Sequence, residues 1–396
     1  MPRRAYERKS VKTICSISFG IIGCLIASTA FAAESIRYQF TKVDISLHGS
    51  SLKSVPEDID DDGSILTNAR IDNLAEAVIA KPVGNGYTKF KTSTFSCTGL
   101  AFADTSASSI NNKGQIVGSC ADAPSAPSRE FGFVRLLNGD HILLNFPGAD
   151  HTLAFGINDR NHVVGHYYNP LIAEQSGLRR IHGFLWDGEK YSTLDFPLEN
   201  TYTMLWSINS SGQILGEYYT FDPKTSDTLA HRWFVYDNGN FITDFESLEF
   251  MGGPAIYLAD INDNGQILGQ RWNGGSDWNG VFLYKAGTSY DIEFPAGWIV
   301  TDVRGMNNKG QFVGTYAIRV GIDALGPIYE HHGFIATPIQ TKLAKPRFGP
   351  AVSLTRAQPD YAEPMESTAM PKRPISDLIR VKYYNFGKQF LKSVAK

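Results

Sequence analysis

The chain is short of most residue patterns that announce a chemistry. Its 396 residues hold four cysteines, and no Cys/His spacing suits a tetrahedral zinc site, so a zinc-stabilised fold is not expected. No G-x-S-x-G elbow and no H-E-x-x-H helix occur, which removes the motif support for a serine hydrolase or a zinc protease. Nothing resembles a phosphate loop, and no long stretch carries the 3.6-residue apolar period of helical repeats. The formal net charge is only −3, with 19% charged residues, so the chain as a whole has no polybasic footprint for nucleic acid. A 42% apolar and 12% aromatic content is enough to bury a large core.

What is present begins with the N-terminus. Arg3, Arg4, Arg8, Lys9 and Lys12 precede an apolar run from Ile14 to about Ala27, followed by the small-residue site at Ala30 to Ala32. This reads as a secretory signal peptide over residues 1–32, because the run is shorter than the roughly 20 apolar residues of a spanning helix. Lipoprotein processing at Cys24 is a minor alternative, since "IIGC" ends there. Export to the periplasm or beyond is the expected localisation. Cleavage would leave Cys97 and Cys120 as the remaining pair in an oxidising setting, where a disulfide is expected; two free thiols are the alternative reading.

The body is built on a repeat. "SINSSGQILGEYY" from Ser207 recurs as "SINNKGQIVGSC" from Ser109, "GINDRNHVVGHYY" from Gly156, "DINDNGQILGQRW" from Asp260, "GMNNKGQFVGTYA" from Gly305 and a worn "DIDDDGSIL" from Asp58. Taking Ile59, Ile110, Ile157, Ile208, Ile261 and Met306 as markers, the intervals are 51, 47, 51, 53 and 45 residues. A period near 50 is that of a supersecondary unit. Within it, the Asn side chain can close a turn, the following Gly takes a positive φ, and "QILG" begins a return strand, so the motif predicts a hairpin. The closing glycines Gly118, Gly165, Gly216, Gly269 and Gly314 lie inside that strand, where Gly marks a bulge or a close backbone approach.

A second hairpin follows most copies: "FGFVRLLNGDHILLNFP" from Phe131, "HGFLWDGEKYSTLDFP" from His182, "HRWFVYDNGNFITDF" from His231 and "GVFLYKAGTSYDIEFP" from Gly280. In the first unit it is weakly legible, near "GYTKFKTSTF" from Gly86. Each unit thus predicts four strands, here termed a to d, and radially stacked four-stranded units make a β-propeller. The last unit lacks a d strand, and "RYQFTKVDI" from Arg37 resembles one. The expected fold is therefore all-β, a propeller of six four-stranded blades over residues 33–338, with the N-terminal strand closing the last blade and leaving no free edge.

The ordered combination of "GIN" or "SIN", "GQIVG"-like returns and "HGFLW"-like strands ending in "DFP" resembles the bacterial extracellular repeat proteins named for their HAF motif, over roughly Asp58 to Thr337. Two features depart from the pattern: "DID" opens the first copy, and "NGVFLY" at Gly280 lacks the His. The resemblance implies export and a repeat fold, and it implies no settled activity.

Residues 339–396 differ in kind. Ile339 to Pro374 carries six prolines and reads as a linker, and "ISDLIRVKYYNFGKQFLKSVAK" spaces Ile375, Leu378, Ile379 and Tyr383 as a short helix would. This tail holds 11 Lys and Arg against four acids, a net of +7, whereas residues 33–338 carry −14. Three readings stay open: contact with the acidic body, contact with an anionic surface, or solvation as a charged tail. No nucleic-acid partner is expected, because a phosphate footprint would have to lie wholly in the tail.

Tight a–b and c–d hairpins would place the longer connections on the opposite face, where binding groups concentrate. That face would gather His166, Tyr167, Tyr168, Tyr218, Tyr219, Arg271, Trp272, Trp278, Trp298 and Tyr316, a set suited to a glycan or a peptide ligand, or else to covering sheet edges. His151, His166, His182, His231, His331 and His332, with Glu130 and Glu217, are the candidate proton-transfer groups. The expected function is a binding or interaction module, more so than an enzyme; the alternative is an extracellular polysaccharide lyase or hydrolase, with catalytic residues unknown. No cofactor is expected beyond weak calcium at Asp58, Asp60 and Asp62, where alternate acids precede Gly63 but Leu66 and Ala69 occupy the positions that would complete a calcium loop.

Overall fold

The computed structural model describes residues 36–45, 55–71, 74–83, 90–95, 105–121, 129–168, 181–222, 228–243, 245, 256–272, 278–323 and 326–339. The expected signal peptide, the tail and Cys97 lie outside these residues. All the assigned elements are strands. β1 is Tyr38–Val43, and β2 to β5 are Val55–Ile59, Ile65–Ile71, Leu74–Pro82 and Phe90–Phe95. β6 to β9 are Thr105–Ile110, Ile116–Ala121, Glu130–Arg135 and His141–Leu144. β10 to β13 are His151–Ile157, Val163–Tyr168, Ile181–Trp186 and Tyr191–Thr193. β14 to β17 are Thr201–Ile208, Ile214–Phe221, Thr228–Asp237 and Asn240–Ile242. β18 to β21 are Ile256–Ile261, Ile267–Trp272, Trp278–Lys285 and Thr288–Ile292; β22 to β24 are Ile299–Met306, Phe312–Asp323 and Gly326–Pro338.

The architecture is all-β and propeller-like. Four-stranded antiparallel sheets form in the orders β2-β3-β4-β5, β14-β15-β16-β17, β18-β19-β20-β21 and β22-β23-β24-β1. The eight strands β6 to β13 form one sheet, in which a parallel bridge between Glu130 and His151 joins β8 to β10. The first strands touch in succession, β2 with β6, β6 with β10, and onward through β14 and β18 to β22, which contacts β2. β1 pairs with β24 from Tyr38↔Pro338 to Val43↔Gly333, where the "RYQFTKVDI" resemblance places it.

The repeat residues explain the packing. Each "GQIVG"-type strand carries its closing glycine under a phenylalanine from the next strand. A Cβ on Gly165 would meet Leu153 O at 1.9 Å and Phe184 at 2.9 Å, and one on Gly216 would meet Phe234 at 2.5 Å. Phe133, Phe184, Phe234, Phe282 and Phe334 are fully buried at this repeat position. Thus "G" in one strand and "F" in its neighbour are one packing unit, and burying each ring contributes on the order of 2 kcal/mol.

A β-bulge also recurs. Register shifts fall between Pro56 and Asp58, Ala107 and Ser109, Ala154 and Gly156, Leu205 and Ser207, and Leu258 and Asp260. The extra residues include Glu57, Phe155 and Trp206, with Arg304 within the shift in β22. They touch across neighbouring sheets: Arg304 donates to Glu57, and the Phe155 and Trp206 rings lie 4.6 Å apart.

Candidate functional site

The recurring Asn residues form a latch between units. Asn209 Oδ1 accepts from Ser211 N at 3.1 Å and Gln213 N at 2.9 Å, which closes its own turn. Its Nδ2 then reaches the next unit. Asn111 donates to Asn158 O, Asn158 to Asn209 O, Asn209 to Asn262 O and Asn262 to Asn307 O, each at 3.0 Å, and Asn307 donates to Asp60 O at 2.9 Å. The Asp60 side chain has no N–H to pass on; at that step Asp61 N donates to Asn112 Oδ1 at 2.8 Å.

These turns surround a small polar cavity of about 60 Å³. Asp58 accepts from Ile59 N and Ile110 N, and Asp260 accepts from Ile261 N, Met306 N and the Ser207 hydroxyl. Burial, with Asp260 adding to it, pushes the Asp58 carboxyl well above the usual carboxylate value; burial likewise raises Asp260. Asp60 Oδ1 accepts from Ser64 N, and Asp62 is exposed.

Strand alternation divides the expected aromatic set in two. His166, Tyr168, Glu217 and Tyr219 face the following unit, whereas Tyr167, Tyr218 and Tyr316 face the other side of their strands. Tyr167 stacks on Phe146 at 3.6 Å, Tyr218 on Phe196 at 3.7 Å and Tyr316 on Trp298 at 3.4 Å. Arg271 lies over the Phe282 ring at 4.3 Å and donates to Ser289 Oγ and Asp291. The Trp272 and Trp278 side chains lie outside the described residues.

The first half forms two similar trios. Glu130 Oε2 lies 3.2 Å from His151 Nδ1 and accepts from Tyr168 Oη at 3.2 Å, with the two rings stacked at 4.5 Å. Glu217 Oε2 lies 2.5 Å from His231 Nε2 and 3.5 Å from Tyr219 Oη, with those rings stacked at 4.4 Å. Burial acts to raise Glu130, but the His151 bond and charge outweigh it and leave the carboxyl below its usual value. Between the trios sits His166, 1% exposed, against Phe155 at 5.0 Å and Trp206 at 6.3 Å. Among the described residues neither of its nitrogens has a hydrogen-bond partner. Burial lowers its pKa to about 4, with Glu130 and Glu217 opposing the shift.

On the face opposite the Asn turns lies a cavity of about 350 Å³, lined by His182, Asp195, Phe196, Leu198, Glu199, Asn200 and Thr201. His182 Nδ1 is 2.6 Å from Asp195 Oδ2, and Gly183 N donates to Asp195 Oδ1 at 3.0 Å. A carboxylate only accepts, so Nδ1 carries the hydrogen of this bond and Nε2 is left for another partner. The two side chains are 29% and 34% exposed, so a ligand can reach them. The motif His recurs at His332, whose Nδ1 is 3.1 Å from Asp44 Oδ2, so the same pair ties β24 to the segment after β1.

The sequence reading named the histidines together with Glu130 and Glu217, which meet His151 and His231, and missed the acids beside His182 and His332. Asp195 and Asp44 were legible, because both are the acid of the "LDFP" and "VDI" strand ends that the repeat alignment had already matched. The Glu57–Arg304 pair was not legible, since its members are 247 residues apart.

No family model matches the chain, and no curated protein matches it. Among solved structures, it is similar to the β-propeller domain of the Trilobed protease from Pyrococcus furiosus, at 13% identity and a TM-score of 0.42, over 71% of this chain and 79% of that one. It is similar to the Pyrococcus horikoshii acylaminoacyl peptidase at 12% identity and a TM-score of 0.42, over 70% of this chain and 43% of that one. It is also similar to the Aleuria aurantia lectin, a six-bladed β-propeller that recognises fucose, at 13% identity and a TM-score of 0.37, over 74% of this chain and 95% of that one.

Proposed function

We propose that the chain is an exported six-bladed propeller of the HAF-repeat kind, closed by its N-terminal strand, and that it is a binding module whose ligand enters beside His182 and Asp195. The observation that carries the reading is the cavity of about 350 Å³ on the face opposite the latched turns, walled by an imidazole, two acids and the apolar Phe196 and Leu198. A mixed wall of this kind suits a hydroxylated ring: carboxylates accept from hydroxyls, imidazole donates or accepts, and apolar groups cover the ring face. A glycan is therefore the ligand class proposed. The test is a glycan array with the mature chain, repeated with His182→Ala and Glu199→Ala. Retention without turnover that weakens at least about tenfold in both variants is expected. Retention unaffected by either change would place the site elsewhere, and no retention on any glycan would defeat the reading.

A second reading has an observation of its own. The Glu217, His231 and Tyr219 trio brings an acid, an imidazole and a phenol together, as proton transfer to or from a polysaccharide would require. It predicts new reducing or unsaturated ends in an activity screen, lost in His231→Ala.

A further inference from the structure

β23 and β24 run past their sheet. Pairing of β22 with β23 ends at Ile299↔Ala317, and pairing of β1 with β24 ends at Val43↔Gly333. Beyond these points, Ile318 to Asp323 and Gly326 to Glu330 pair with each other, from Ile318↔Glu330 to Asp323↔Gly326, as a two-stranded arm. Such a ribbon is marginal in water by itself. It also exposes apolar side chains that no core cluster of the described residues includes: Val320 is 53% exposed, Ile322 65%, Ile328 43% and Tyr329 42%.

The two edges of the arm are not alike. β24 carries Pro327, which has no N–H to offer, so that edge is blunted. β23 has neither Pro nor Lys between Ile318 and Asp323. Its sequence there is Arg319-Val320-Gly321-Ile322-Asp323. Laid antiparallel on a second copy about a twofold axis through Gly321, it sets Arg319 opposite Asp323 and Val320 opposite Ile322, twice over. Charge meets opposite charge and apolar meets apolar, which is the self-complementarity an isologous contact requires. A register shift between Arg319 and Gly321 leaves Val320 out of the β23–β24 ladder.

We propose that the arm is a dimerisation surface whose partner is a second copy of this chain, joined arm to arm about Gly321. Sedimentation equilibrium of the mature full-length chain is expected to show a dimer. Ile322→Lys should weaken it at least about tenfold, because a charge replaces an apolar contact on both sides of the axis. Arg319→Asp should weaken it as well, and Arg319→Asp with Asp323→Arg should restore it. Gly321→Cys supplies a readout independent of affinity. A Cβ there meets only Ile328 Cδ1 at 3.6 Å, ordinary contact, so the variant folds, and mild oxidation should cross-link it through its twofold axis. Leu137→Cys, 74% exposed and remote from the arm, should not cross-link. A monomer at all concentrations, or a dimer that survives Ile322→Lys and leaves Gly321→Cys uncross-linked, would overturn the proposal. So would a monomer that dimerises only when residues 340–396 are removed, since the tail would then be the occupant of the arm.

Discussion

At the scale of single residues, the chain keeps ionisable groups where water does not reach, and pH reads them with opposite signs. His166 has a folded pKa of about 4 against an ordinary value of about 6.5, so the folded state resists its protonation. Its contribution is present above pH 6.5 and lost as pH falls toward 4, an effect of about 3 kcal/mol. Asp58 and Asp260 act the other way: their raised pKa values mean that stability is lost as pH rises through them and regained in acid. His166→Phe separates the two. Urea unfolding at pH 7 and pH 4 is expected to show a smaller acid loss in the variant than in the wild type by about that amount, with no deficit at pH 7, because Phe leaves no unpaired nitrogen. An unchanged acid loss would assign it to other groups. The cysteines belong to this scale too. Cys120 is buried in β7, and oxidation with Cys97 predicts no reactive thiol in the denatured, unreduced mature protein.

Neighbouring units are tied through their Asn turns as well as through the apolar packing of their strands. Asn209 makes four side-chain hydrogen bonds, two within its turn and one each to Gln213 Oε1 and Asn262 O. Asn209→Ala removes all four and is expected to cost about 2–4 kcal/mol, read as a lower midpoint in urea. The first unit offers the converse test. Asp60 is raised by burial and its side chain has no N–H, so Asp60→Asn should both relieve a buried acid and supply the missing donor toward Asn111 O. A rise in Tm of a few degrees is expected, corresponding to about 1 kcal/mol. A fall would mean that the carboxylate at position 60 does something the amide does not.

For the whole molecule, the decisive contact is between the two ends of the described chain. Val43 and Ile45 are buried with Ile59, Ile65, Val313 and Ile335, so β1 completes a core cluster as well as covering the β24 edge. Deleting residues 36–45 is therefore expected to lower Tm by well over ten degrees or to abolish folding, since Val43, Ile45, the packed Ile36, Tyr38 and Phe40, and six ladder positions are lost at once. Ending the chain after Ile339 should leave Tm within about two degrees, because the repeat ends before it and the Pro-rich composition beyond reads as a linker. Equal losses in the two truncations would show that the tail carries structure of its own.

The sequence alone determined the repeat, its period, the Asn turn, the closing Gly and the likeness of "RYQFTKVDI" to a last strand, because each of these is set by local backbone chemistry or by copying. β4, Leu74–Pro82, escaped it, because "LAEAVIAKP" carries none of the "HGF" residues that mark the other c strands. So did the β23–β24 arm, which replaces a connection with paired strand. Above all, the sequence treated Tyr167 and Tyr168, or Tyr218 and Tyr219, as one set, and it took Asn209 for punctuation. Only the tertiary structure decided these. A pleated strand sends consecutive side chains to opposite units, and the Asn amide finds its acceptor about 50 residues away, across a contact that exists only once the units lie side by side.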